Sequence, residues 1–227
     1  MKPRRSNQRN RALTLVEVMV IIAVLVIFVV LFLPLRSTRI PLTCVGNLHQ
    51  ISAAFRIWAD DNNGKYPMEI SRTNGGALEP AATGNVAPIF HAMSNELSTP
   101  KVLLCPADTR RVWATDFSKG FDNSHISYCV GLNRSTNDPQ AFLSGDDDLA
   151  VNGTPAKSGL LEFSTNNLVA WGSGRHVSPN SHFWTAARDR FVGNICMTDG
   201  SIRELSPLEL QQMFQQTGLA TNRLAIP

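Results

Sequence analysis

Glu17 is the only ionisable residue in LTLVEVMVIIAVLVIFVVLFLPL, positions 13–35. After it, positions 18–33 form sixteen consecutive residues with no charged or polar side chain. A carboxylate in such surroundings is short of water, and an ammonium partner would relieve both charges. The other residues able to do chemistry are Cys44, Cys105, Cys129 and Cys196, the run Asp146, Asp147, Asp148 with Asn152 beyond it, and His176 and His182 around VSPNS. Clustered carboxylates suit a hard cation such as calcium, but the spacing of a calcium loop is missing, and the run reads as a solvated turn. WADDNNGK resembles the start of an EF-hand loop, except that Ala59 stands where the first ligand belongs. The two histidines are wrongly spaced for one helical turn, with no cysteine or acid at ligand spacing, so zinc is not implied. No serine sits in a Gly-x-Ser-x-Gly elbow. Trp58, Trp113, Trp171 and Trp184 are isolated and read as packing residues. No catalytic residue emerges, and the expectation is a protein that is not an enzyme.

The residues around Glu17 explain more when their flanks are included. MKPRRSNQRNRA carries Lys2, Arg4, Arg5, Arg9 and Arg11 and no acid. The run of positions 13–35 would be about 34 Å long as a helix, enough for a hydrocarbon core of about 30 Å. The basic flank then implies a cytoplasmic amino terminus, a single span through the inner membrane and an exported remainder. Without the leader, five of the 21 basic residues go, leaving 16 against 18 acidic ones. The slightly basic balance belongs to the leader, and no nucleic-acid-binding stripe is present.

A basic leader, a small residue, Leu13-Thr14-Leu15-Val16-Glu17 and a long apolar run together resemble the type IV pilin and type II secretion pseudopilin family. That family usually has glycine where Ala12 stands and phenylalanine where Leu13 stands. The resemblance implies cleavage between Ala12 and Leu13 by a prepilin peptidase, and methylation of Leu13. It further implies assembly through Thr14, Leu15, Val16 and Glu17, with Glu17 neutralising the amino terminus of a neighbouring subunit. Pro34, twenty-two residues after the implied cut, matches a proline that often kinks the family's helix. Implied partners are other subunits, the peptidase and an inner-membrane assembly platform. Cys44, Asn47, Leu48, Gln50 and Ile51, then residues 63–67 (NGKYP), resemble a bacterial pseudopilin-like subgroup. Some major pseudopilins bind calcium in a head loop, which bears on Asp146, Asp147 and Asp148; no other cofactor is implied.

The elements expected to position these residues follow from periodicity and turn chemistry. Val45, Leu48, Ile51, Phe55 and Trp58 recur at helical spacing and predict a stem helix stopped by Gly64. HISYCVGL and NNLVAWGS read as strands, and GNICMTDGSIREL as a hairpin with a type I′ turn at Asp199-Gly200. Ser206, Pro207 and Glu209 predict a capped terminal helix closed by Gly218. The expected fold is α+β and pilin-like, with one long transmembrane and stem helix packed on a small, mainly antiparallel head. Its divisions are a leader (1–12), a transmembrane and assembly helix (13–35), a stem (36–64) and a head (65–227). Four cysteines in an exported head predict disulfides, and Cys129 and Cys196, both in strands, would pair across one sheet. Cys44 and Cys105 would then tie stem to head, although four cysteines allow three pairings. The function expected is a structural subunit of a pseudopilus or related filament; a membrane-anchored binding module that never polymerises is the alternative.

Overall fold

A computed structural model of the protein describes residues 15–32, 39–118, 120–133, 138, 140–172 and 192–227. The chain divides into two units, Met1–Arg36 and Ser37–Pro227. The described part of the first unit is helix α1 (Leu15–Phe32), and the second opens with α2 (Arg39–Asp61). Pro41 falls in the first turn of α2, where a backbone N–H would have no helical partner, so proline is tolerated.

The single long helix expected over positions 13–64 is therefore corrected. The described helices are separate, and α2 belongs to the same unit as the head. The membrane span and the inner-membrane location that rested on it are corrected as well. Among the described residues no helix is long and apolar enough to cross a membrane.

In the second unit, α2 places Cys44, Leu48, Ile51, Phe55 and Ala59 on one buried stripe. The stripe packs on a sheet through Tyr128, Val130, Leu143, Cys196 and Ala225. Short helices α3 (Leu78–Ala82), α4 (Ala87–Ala92) and α5 (Ser94–Leu97) follow α2. Two of the motif segments read from the sequence have clear structural work. The buried Asn47 amide donates to the Leu104 carbonyl and the Tyr128 hydroxyl, at 3.0 and 3.2 Å. Asn63 and Gly64 adopt positive φ just past α2, and the Tyr66 ring meets Phe55 edge-on at 5.7 Å.

The strands are β1 (Tyr128–Gly131), β2 (Phe142–Asp146), β3 (Leu149–Val151), β4 (Thr154–Pro155), β5 (Gly159–Phe163), β6 (Val169–Trp171), β7 (Gly193–Met197), β8 (Ile202–Leu205) and β9 (Asn222–Ile226). Six form an antiparallel sheet in the order β5-β9-β1-β2-β7-β8, and β4-β3-β6 form a smaller one. The face of the six-stranded sheet opposite α2 is covered by Leu210 and Phe214 of α6 (Pro207–Gln215) and by Leu149, Val169 and Trp171 of the small sheet. Ser206 and Glu209 form the expected capping box on α6. The β7–β8 hairpin also forms, but by a different turn. Gly200 N–H donates to the Met197 carbonyl at 3.0 Å, and only Gly200 takes positive φ, at 87°. That is a three-residue connection with a glycine bulge rather than a two-residue type I′ turn.

Of the two expected disulfides the structure holds Cys44–Cys105, while Cys129 and Cys196 are buried free thiols. The expected second bridge is excluded by the sheet. β2 lies between β1 and β7, which puts the two cysteines about 9.5 Å apart from strand spacing alone, beyond the ~7 Å limit for a bridge. They also point to opposite faces, Cys196 toward α2 and Cys129 toward α6.

Thiol labelling without reductant should find two reactive cysteines after unfolding and essentially none before it. The Cys44–Cys105 bridge spans 61 residues of sequence, so Cys44→Ala with Cys105→Ala should lower stability by about 4 kcal/mol. Urea unfolding of the variant against the oxidised protein measures that difference.

Candidate functional site

Every described side chain of α1, from residue 15 to 28, is exposed. Its large apolar residues, Leu15 to Phe28, are each 41–76% exposed and point all round the axis rather than along one stripe. A helix that is apolar on every side is stable only when other elements cover it. Both hydrophobic cores of the Ser37–Pro227 unit are built from residues of that unit. Glu17 lies in the first turn of α1. A carboxylate there meets the positive end of the helix dipole, worth about 0.3–1 kcal/mol at an exposed position. Of the other expected assembly residues, Leu15 and Val16 open the helix, whereas Ala12, Leu13, Thr14 and Pro34 lie outside the described residues.

The acidic run is not a solvated turn. Asp146, Asp147 and Asp148 are all 5% exposed or less, at the corner between β2 and β3. Their groups diverge. Asp146 Oδ2 accepts from the backbone N–H and the side-chain amide of Asn194, at 2.7 and 3.1 Å. Asp147 faces Arg110 and Arg111, and the Asp148 carbonyl accepts from Gly172 N–H at 2.7 Å. Asn152, the expected fourth ligand, instead accepts from Leu168 N–H at 2.9 Å. Among the described residues no group of three or more His, Cys, Asp or Glu side chains is placed to hold a metal. His176, His182 and Trp184 lie outside the described residues.

The Asp147 contacts belong to a cluster of four charges that sequence reasoning missed, with Asp108, Asp147 and Arg111 buried and Arg110 37% exposed. Arg110 forks onto Asp108 with Nε–Oδ1 at 2.9 Å and Nη2–Oδ2 at 2.8 Å, and its Nη2 also reaches Asp147 Oδ1 at 2.9 Å. Arg111 donates through Nε to Asp108 at 3.2 Å and through Nη2 to Asp147. It also donates to the Asn123 carbonyl and, at 3.2 Å, to the Pro227 carbonyl. Two guanidinium groups balance two carboxylates, so the cluster is neutral within itself. The only sequence sign was the pair DTRR and DDD with opposite charges, and nothing in one sequence says that segments 36 residues apart meet. Burial pushes the Asp108 carboxyl up, but hydrogen bonds and charge from Arg110 outweigh it and hold the group below the usual aspartate range.

A depressed carboxylate contributes stability that is complete above its unfolded value, near 3.9, and is lost as pH falls through the folded value. Urea unfolding from pH 6 down to pH 2 should therefore show stability falling below about pH 4. Asp108→Asn should flatten that fall. At pH 6 the variant should be less stable, by less than the about 3–5 kcal/mol of a fully buried pair, because Arg110 is part-exposed and both arginines keep Asp147.

Comparison of the chain with protein-family models, with curated proteins and with solved structures gives no match.

Proposed function

We propose that the chain is a structural subunit of a type IV pilus-like filament or type II secretion pseudopilus, joined to its neighbours by packing of α1. The observation that carries the reading is the all-round exposed apolar surface of α1, far beyond the few hundred Å² that a monomer usually leaves in one patch. Copies of the same helix are its natural cover, since each brings an equal apolar surface. The basic leader and the Leu-Thr-Leu-Val-Glu motif support processing between Ala12 and Leu13 by a prepilin peptidase. In the assembled filament Glu17 would then face the methylated amino terminus at Leu13 of the next subunit, with water excluded by the surrounding apolar side chains.

The test is expression beside a prepilin peptidase, followed by mass spectrometry of the amino-terminal peptide and cross-linking. The expected result is methylated Leu13 as the first residue, and a ladder of cross-linked multimers that a 37–227 fragment does not form. Glu17→Gln should abolish the ladder while the near-ultraviolet circular dichroism of the head stays unchanged. The change removes one partner of a buried pair, about 3–5 kcal/mol at each subunit contact. Intact Met1, or equal ladders from the fragment and the full chain, would sink the proposal.

A further inference from the structure

A cavity of about 400 Å³ opens on the Ser37–Pro227 unit between the turn at residues 72–76, helix α4 and the loop bearing Phe121 and Asp122. Its size falls in the range of small-molecule sites, roughly 300–1,000 Å³. Three features show that its walls are set in advance.

The first is the 72–76 turn. Glu79 accepts from the Ser71 hydroxyl and from Arg72 N–H, at 2.5 and 2.8 Å. Gly75 has a φ of 87°, and a Cβ on Gly76 would lie 2.1 Å from the Ile70 carbonyl oxygen, so only a bare backbone fits there. The second is the tie across the cavity. Ala87 N–H of α4 donates to Asn123 Oδ1 at 2.9 Å, and the Asn123 carbonyl is held by Arg111 of the charge cluster. The third is Phe121. Its ring stacks on His125 at 6.2 Å and 12°, and meets Phe117 edge-on at 5.0 Å. His125 in turn bridges the Val112 and Gly120 carbonyls, at 2.9 and 3.0 Å. Phe121 therefore lines the cavity as a ring already fixed in place.

The chemistry of the lining is mixed. Arg72 supplies a cation and donors, Asn85 a donor and an acceptor, and His91 a ring nitrogen; none of these three side chains makes a hydrogen bond among the described residues. Asp122 accepts from Ser124 N–H and Oγ through Oδ1, at 2.8 and 2.6 Å, and keeps Oδ2 for another donor. A free anion would meet the Asp122 carboxylate, and a purely apolar ligand would make no use of the four polar groups. A polyhydroxylated ring satisfies the set: its hydroxyls both donate and accept, and its C–H face suits the negative face of an aromatic ring. We propose that this cavity binds a neutral saccharide unit, with Phe121 as the stacking surface and Arg72, Asn85, His91 and Asp122 reading the hydroxyls. This assignment does not depend on the filament reading.

Saturation-transfer NMR on the full chain tests it with a panel of neutral methyl glycosides and disaccharides, and with acetate and inorganic phosphate as competitors. At least one sugar should receive transfer on its ring C–H protons. Arg72→Ala and Phe121→Leu should each weaken that sugar's binding tenfold or more, while Leu208→Ala, far along the chain on α6, should leave it unchanged. Arg72 is exposed, so its variant decides the matter even if the loop does not tolerate Phe121→Leu. Absence of transfer to every sugar would overturn the proposal. So would wild-type binding in Arg72→Ala, or a site that acetate or phosphate occupies and sugars do not.

Discussion

The middle strands of the six-stranded sheet are covered on both faces, by α2 on one side and by α6 with the small sheet on the other. Under that constraint no residue of β1, β2 or β7 can reach water, and neighbouring side chains must serve opposite cores. Tyr128 and Val130 go to the α2 side and Cys129 to the other. Ile195 and Met197 go one way and Cys196 the other. Double burial also accounts for the acids at the end of β2. Carboxylates carried into such a layer must be neutralised or hydrogen-bonded, and Asp146 and Asp147 are provided for by Asn194 and by Arg110 with Arg111.

The charge cluster is thereby a junction. Asp108 N–H donates to the Cys105 carbonyl at 2.9 Å, so the cluster sits one turn from the disulfide that fastens α2. Arg111 extends to Asn123, whose amide oxygen holds the start of α4. Covalent bridge, charge cluster and cavity wall form one connected framework within the Ser37–Pro227 unit. Replacing such a cluster with apolar groups of similar volume is often neutral or stabilising, so its presence argues for fixed geometry rather than for gain in stability.

Local signals were legible in the sequence and distant ones were not. The apolar row of α2, the Ser206 capping box and the β7–β8 hairpin each depend on residues within a few positions of one another. The hairpin's turn type was misread because Asp-Gly fits both a two-residue turn and the end of a three-residue one. β9 was missed because NRLAI is too short to declare itself, and its place between β5 and β1 is decided by packing. The disulfide error had the same root: alternation tells which residues share a phase within a strand, but not which strand stands between. Asp146 and Asp147 looked solvated because their side-chain partners lie 36 or more residues away. The apolar run was legible as a helix, and Leu15–Phe32 forms one.

The position of β9 has a consequence for how the molecule comes into being. β5 pairs with β9 alone in the six-stranded sheet, and β9 also supplies the second neighbour of β1. During synthesis β1, β2, β7 and β8 emerge with their partners in hand, while β5 has none in that sheet until the latest strand is made. Until then the nascent chain presents two open strand edges with a gap one strand wide between them. Closing that gap joins residues as far apart as Val130 and Ala225, a step slowed by the long loop it must close. In that interval the gap is complementary to the β9 of another copy as well as to its own, so this topology leaves a route to strand exchange.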